Sequence, residues 1–170
     1  MYKRQVLRLA KIEEVATIWE ILQDAIAQRK KDGSDQWQNG YPNEQTVKDD
    51  IQNGNGYVMM HDNEIVAYAA IVFGIEQSYI EIKGKWLSNN DCVVVHRVAT
   101  QASLKGKGIA TQLFLLIEDF CIQKNIYSIK VDTNFDNQPM LRILEKLNYS
   151  FCGDILVSGS PRLAFEKVLN

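Results

Sequence analysis

The sequence predicts an α/β protein of the α+β kind, with a mixed, mostly antiparallel sheet, one central strand–helix–strand unit, and flanking helices. Three observations carry that reading. Short segments near both ends of the chain alternate apolar and polar residues, the period of a half-buried strand. Between residues 92 and 131 a β-rich run, a long amphipathic run and a second β-rich run follow one another closely, as a parallel crossover requires. The 170 residues, 46% hydrophobic and 24% charged, contain no repeat, linker or low-complexity tract, so one domain over 1–170 with a single core is expected.

Gln5 to Leu9 alternates as the first strand, and Lys11 to Arg29 carries Val15, Ile18, Trp19, Leu22 and Ile26 at helical spacing. Gly56 to Met60 and Glu64 to Phe73 flank the turn sequence His61-Asp62-Asn63 and read as a hairpin. A segment bearing Tyr79, Ile82 and Trp86 leads to a strand over Cys92 to Ala99. The helix from about Lys107 to Lys124 buries Ile109, Leu113, Leu116, Ile117 and Phe120, and Ile126 to Val131 returns as the next strand, parallel and right-handed in its crossover. A helix from about Pro139, a residue suited to the first turn, runs to Leu147. Tyr149 to Val157 and Leu163 to Leu169 then pair across Ser158-Gly159-Ser160.

Composition excludes several classes. A net charge of −2, with no basic excess larger than short clusters such as Lys105 and Lys107, argues against a nucleic-acid partner. The longest near-continuous apolar run, Ile65 to Phe73, falls short of the roughly 20 residues that span a bilayer. Met1-Tyr2-Lys3-Arg4-Gln5 leads into the first strand without the apolar core of a secretory leader, so no membrane association and a cytoplasmic location are expected. Cys92, Cys121 and Cys152 are an odd, widely spaced set in apolar contexts, which reads as buried reduced thiols and no metal site.

The chemistry concentrates where the strand ending Val98-Ala99-Thr100 passes through Gln101 to Leu104 into Lys105-Gly106-Lys107-Gly108-Ile109-Ala110 and the following helix. A glycine-rich turn opening a helix aims backbone N–H groups at an anion, because the first helical turn has unpartnered donors and a partial positive charge. The Walker spacing is absent, since Lys107 is followed by Gly108. Gly106 and Gly108 supply two of the three glycines of a dinucleotide fingerprint, with Thr111 at the third place and Asp132 where a ribose-binding acid would stand. An NAD(P)-dependent oxidoreductase is therefore an alternative, opposed by the presence of only one strand–helix–strand unit.

These residues resemble the acetyl-coenzyme A loop of the GNAT N-acetyltransferase family, Gln/Arg-x-x-Gly-x-Gly/Ala, with Lys105, Gly108 and Ala110 at its positions and Lys in place of Gln or Arg. Asn137-Gln138-Pro139-Met140 to Asn148-Tyr149 resembles the family's second motif, Asn-x-x-Ala-x-x-x-Tyr-x-x-x-Gly-Phe. The resemblance implies splayed parallel strands that receive the pantetheine arm through backbone groups of Val98 and Thr100. It also implies that the pyrophosphate sits on residues 105 to 110, and that acetyl-CoA is the co-substrate with no metal. Asn137 matches a position that contacts the cofactor arm, and its side chain also suits a helix cap. The implied activity is acetyl transfer to a primary amine of a small molecule or peptide, by a monomer or homodimer; a non-catalytic acyl-CoA-binding sensor is a further alternative.

An amine attacks only when neutral, so a base that titrates near neutrality is sought. Period-two alternation puts residues 94, 96 and 98 on one face of the strand. In the family this sequence resembles, some members carry a carboxylate four residues, or a His two residues, before the first amide-donating position; here those positions are Val94 and His96. His96 is the candidate general base, with Glu81 and Asp132 as fallbacks. The motif tyrosine that protonates the departing thiolate in many members falls on Leu144. For the acceptor, Asp35, Trp37 and Tyr41 in one aromatic loop and Tyr79 and Trp86 in another occupy the regions where the family builds its pocket, Asp35 to attract a cation and the indoles to wall it.

Overall fold

The computed structural model describes residues 5–170; residues 1–4, read above as leading into the first strand, lie outside the described residues. In chain order the elements are β1 (Gln5–Leu9), α1 (Val15–Lys31), α2 (Glu44–Gln52), β2 (Gly56–His61), β3 (Glu64–Phe73), α3 (Gln77–Ile80), β4 (Lys83–Gly84), β5 (Val93–Thr100), α4 (Ile109–Gln123), β6 (Ser128–Thr133), α5 (Gln138–Lys146), β7 (Ser150–Val157) and β8 (Ser160–Val168). The eight strands form one sheet in the order β1-β2-β3-β5-β6-β8-β7-β4. Pairing is antiparallel for β1–β2, β2–β3, β6–β8, β7–β8 and β4–β7, and parallel for β5–β6. This is the mixed, mostly antiparallel architecture that the alternation and the single crossover predict.

The chain divides into two compact units. The first comprises the described residues up to Ile71 together with Arg97–Leu116. Its core gathers Val15, Ile18, Ile21 and Leu22 of α1, Val47 of α2, and Val58, Ile65, Tyr68 and Ala99 of the strands. Arg8 of β1 grips both carboxylate oxygens of Glu14 at 2.9 and 2.7 Å, while Glu14 also accepts the Lys11 N–H, so the strand end is tied to the turn that starts α1. Asp62 and Asn63, at φ 51° and 68°, form the two-residue turn that the β2–β3 hairpin requires, a conformation Asp and Asn tolerate better than bulky residues.

The second unit comprises Val72–His96 and Ile117–Asn170. Tyr79, Val94, Ile155 and Ala164 form a buried cluster there, with Ile82, Trp86 and Val157 packed against it. Beside it lies a buried charged group. Glu166, completely enclosed, accepts Ser88 Oγ at 2.5 Å, Ser128 Oγ at 2.7 Å and the Leu87 N–H at 2.8 Å, and pairs with Lys130 Nζ at 3.4 Å. Lys130 also lies 5.1 Å from the centre of the Trp86 ring. Burial raises the Glu166 carboxyl, and the Ser88 and Ser128 hydroxyls and Lys130 outweigh it, so the net value is below the ordinary carboxylate range. Where β4 meets β7, a Cβ on Gly84 would fall 2.1 Å from the Cys152 carbonyl, which is why that close crossing is made of glycine.

Several boundaries depart from the sequence reading for identifiable reasons. β6 starts at Ser128 and not Ile126, because the Ile126 N–H closes the end of α4 on the Cys121 carbonyl after Asn125 turns left-handed at φ 59°. β8 starts at Ser160, ahead of the expected Leu163, with a two-residue turn at Ser158-Gly159. Pro161 is accommodated because the β6 pairing ends at Leu163, so the missing N–H costs no ladder bond on that side. α2 has no counterpart in the sequence reading: its only buried apolar residue is Val47, and its start is fixed by Asn43, whose side chain accepts the Thr46 N–H at 3.0 Å. Cys92, Cys121 and Cys152 are free and buried; burial pushes the Cys121 thiol up to about 12.

Candidate active site

Within the first unit, the loop after β5 makes a short 3-10 turn at Ala102–Leu104 and enters α4 through Gly106 and Gly108, at φ 81° and 74°. Both glycines occupy the left-handed region, where side-chain-bearing residues are disfavoured, and open space faces both positions. The Gln112 N–H donates to the Gly108 carbonyl at 3.0 Å, so Gly108 caps α4 and the N–H groups of Ile109, Ala110 and Thr111 precede the first intrahelical bond. Lys105 and Lys107 are exposed. Their N–H groups donate to the Ala102 and Leu104 carbonyls, each at 3.2 Å, so within the run 105 to 110 these two amides are engaged in the loop and Gly106, Gly108, Ile109 and Ala110 supply the remaining N–H groups. The run 105 to 110 expected as a uniform cradle is thus four amides and two lysine side chains.

Within the second unit, His96 is set among side chains that come from separate segments. Its Nε2 lies 2.7 Å from Glu76 Oε1, and its Nδ1 lies 3.8 Å from Asp132 Oδ1. Tyr79 donates a short hydrogen bond to Asp132 and packs edge-on against the imidazole, with ring centres 6.1 Å apart. Burial, reinforced by the Asp132 charge, raises the Tyr79 hydroxyl well above its ordinary value, so it remains a proton donor to that carboxylate. The 2.7 Å contact assigns the Nε2 proton to a bond donated to Glu76, which leaves Nδ1 as the acceptor of a further proton on the side facing Asp132. His96 and Asp132, named from sequence, therefore come together. Glu81 does not join them: it is exposed at the end of α3, accepts Gln77 Nε2 at 3.0 Å, and lines a separate cleft with Ser78, Lys83 and Asp154. Glu76, which precedes α3, is the acid that sequence reasoning missed, and its isolation in an exposed-looking segment gave no signal.

Alternation along β5 holds as far as His96, since Val94 and His96 both meet Tyr79. Arg97, at φ 54°, then breaks the alternation expected to continue to Val98. The recorded parallel register of β5 with β6 runs from Val93↔Ile129 to Val95↔Val131, two residues before that break. Val98 and Thr100 beyond it are half-buried. Asn137 is buried and its Oδ1 accepts the Met140 N–H at 3.4 Å, capping α5 as one of its two expected roles requires. Leu144, at the motif tyrosine position, is completely buried and offers no proton.

The residues named for the acceptor fall into different environments. In the first unit Asp35 is exposed, Trp37 packs against the core at φ 63°, and Tyr41 is 45% exposed with its hydroxyl 2.6 Å from Arg97 Nη1. In the second, Tyr79 is fully buried and stacks on Trp86 at 5.4 Å, while the Trp86 indole donates to the Tyr79 carbonyl and its ring faces Lys130. A ring already facing an internal ammonium is not free to wall a cationic acceptor, so the structure gives Tyr79 and Trp86 supporting places, while Asp35 and Tyr41 are exposed and Trp37 is half-buried.

A glycine turn opens α4 after a β5 strand that pairs in parallel with β6, in a mostly antiparallel sheet, and this is the class of α/β fold to which the acetyltransferases belong. The model of the acetyltransferase (GNAT) family matches residues 17–149, and the chain belongs to that family. It is similar to a GNAT-family acetyltransferase from Streptococcus agalactiae 2603, with 34% identity over 99% of this chain and 98% of that one and a TM-score of 0.91. A GNAT-family acetyltransferase from Listeria monocytogenes 4b F2365 shares the fold at 16% identity, covering 99% and 100% of the two chains with a TM-score of 0.77. An N-acetyltransferase from Staphylococcus aureus Mu50 does so at 17% identity, covering 98% and 99%, with a TM-score of 0.67. No curated protein matches the chain. Among the described residues no helix is long and apolar enough to cross a membrane, and no three His, Cys, Asp or Glu side chains are grouped to hold a metal.

Proposed function

We propose that this chain transfers an acetyl group from acetyl-coenzyme A to a primary amine of a small molecule or peptide. The observation that supports it most is the set of amides at Gly106, Gly108, Ile109 and Ala110, presented at the start of α4 with open space over both glycines. They fit the pyrophosphate of the acetyl donor, with Lys105 and Lys107 adding positive charge from the rim. Val98 and Thr100 offer backbone groups to the donor's amide arm, in the manner of an added strand. When bound, the donor supplies a thioester carbonyl, at which an N–C bond forms as the C–S bond breaks.

His96 takes the proton that the amine must lose. Its Nε2–H bond to Glu76 fixes the ring, Nδ1 receives the proton, and Asp132 faces the resulting imidazolium at 3.8 Å. Tyr79 holds Asp132 in place through its hydroxyl. Leu144 leaves the departing thiolate without the usual tyrosine acid, which a leaving group of pKa near 8.5 tolerates. Asp35, Trp37 and Tyr41 provide the acceptor's surroundings. The test is a panel of primary amines incubated with acetyl-CoA while free thiol is measured; thiol release that depends on one amine class, together with an acetylated product of the right mass, is expected. Acetyl-CoA binding in calorimetry with no thiol release from any amine would instead assign a sensor, and no binding would remove both readings.

A further inference from the structure

Resting on the acetyltransferase reading above, we propose that Arg97 is a positioning residue that clamps Tyr41, the exposed end of the Trp37–Tyr41 aromatic segment offered to the amine acceptor. Arg97 projects from β5 at the left-handed position and is itself largely buried, with 13% of its side chain exposed. Its Nε and Nη2 reach both carboxylate oxygens of Asp50 on α2, at 2.8 and 2.5 Å, in the fork geometry that only a guanidinium supplies. Asp50 is in turn fixed by the hydroxyl of the fully buried Tyr68 at 2.6 Å. The burial of Tyr68 and the Asp50 charge keep that hydroxyl protonated, so it continues to donate. Every group behind the guanidinium is therefore buried and hydrogen-bonded, and the charge of Arg97 is matched by Asp50.

What remains of the fork points to the acceptor loop: Arg97 Nη1 donates to the Tyr41 hydroxyl at 2.6 Å. The backbone before Tyr41 has its own anchors, and the Tyr41 side chain is held by this bond. Trp37 and Gly40 adopt positive φ, Trp37 packs on the core, and Gln38 bonds to the carbonyls of Ile26, Gln36 and Asp35. The Gln36 N–H donates to Ser34 Oγ and Asn43 Nδ2 donates to the Gly40 carbonyl, whereas Tyr41 is 45% exposed. A half-exposed tyrosine on an irregular segment samples many orientations unless tethered, and an acceptor binding to it would have to order it first. The tether removes that cost in advance, so its loss is felt in the affinity for the amine and not in the binding of acetyl-CoA.

The experiment compares the native chain with Arg97→Lys, which keeps the charge but loses the fork, and Tyr41→Phe, which keeps the ring and loses the hydroxyl. Hydrogen–deuterium exchange of peptides covering 33–43 should speed up at least tenfold in both variants, with 105–110 unchanged. With spermidine, tyramine and a lysine-containing peptide as acceptor probes, the KM of an accepted amine should rise about tenfold, while kcat changes less than threefold and the acetyl-CoA Kd stays within twofold. Unchanged exchange at 33–43 in the folded Tyr41→Phe protein overturns the proposal, as does a parallel loss of acetyl-CoA affinity and kcat, which marks a general structural role. If Arg97→Lys does not fold, the Tyr41→Phe measurements decide. If the native chain acetylates none of the probes, the acetyltransferase reading fails for those acceptors, and the exchange at 33–43 still decides whether the clamp exists.

Discussion

The loop that opens α4 and the cluster around His96 are two solutions to placing polar groups, and they differ in what makes them. The loop is backbone: four N–H groups, two left-handed glycines and a helix end, all within residues 106 to 112. The cluster is side chain: Glu76, Tyr79, His96 and Asp132 converge from positions as far as 56 residues apart, the span from Glu76 to Asp132. A backbone site depends on conformation, so it is damaged by whatever changes φ and is indifferent to most side chains. A side-chain cluster depends on chemical identity and fails when one group changes, with the fold intact.

Substitutions that separate conformation from identity test this contrast. The largest effect is expected for His96→Gln, which should lower turnover by roughly 10²–10⁴ if the imidazole is the proton acceptor, with acetyl-CoA affinity preserved in calorimetry. The deficit should shrink as the pH rises far enough to deprotonate the amine unaided; near-normal turnover with an unchanged pH profile would move the role to Asp132, Glu76 or water. Gly108→Val places a β-branched residue at φ 74° beneath the ligand's approach, and the Kd for acetyl-CoA should rise more than tenfold, about 1.4 kcal/mol. An unaltered Kd would show that the amides of this loop do not hold the donor.

Lys105→Ala with Lys107→Ala should weaken binding only severalfold and flatten its salt dependence, because exposed lysines act as screened point charges beside a competent backbone. Abolished binding would make the side chains the anchor and erase the distinction between the two regions. The smallest effect on activity belongs to a change read in acid stability. Glu166 has a depressed value in the folded chain, so its contribution is present above the ordinary carboxylate value of about 4.3 and is lost as the pH falls through the lower folded value. Tm followed from pH 7 to 3 should be level until about pH 4.5 and then drop; in Glu166→Gln it should start lower and drop less. An equally steep acid limb in the variant would assign the acid sensitivity elsewhere.

Legibility in the sequence follows the same division. The glycines at 106 and 108, the helix behind them, the β2–β3 turn and the order of most elements are local, and each could be read from a few neighbouring residues. β6 and β8 were misplaced by two and three residues because their starts depend on how Asn125 ends a helix and on which partner strand lies beside Pro161. His96 and Asp132 could be named one at a time from spacing, whereas Glu76 has no local mark and enters only through tertiary contact. Arg97 was passed over for a similar reason: a charged residue in a β-rich run reads as solvent-facing, and nothing nearby announces that Asp50, 47 residues earlier, will meet it. Tyr79 and Trp86 show the converse, in that their aromatic character suggests a pocket wall while their stacking and the Lys130 contact depend on tertiary partners that no local pattern marks.

The Lys130–Glu166 pair restricts how this chain can drift. Replacing either partner alone strands an enclosed charge, a change that typically costs about 3–5 kcal/mol, a large share of the stability of a domain this size. Replacing both with well-packed apolar residues is often neutral or favourable, although here Ser88 and Ser128 would each lose a partner as well. The apolar solution therefore lies several coordinated substitutions away, across a valley that single steps descend into. A designed library that varies residues 88, 128, 130 and 166 together can reach sequences that one-at-a-time mutagenesis of this core would discard.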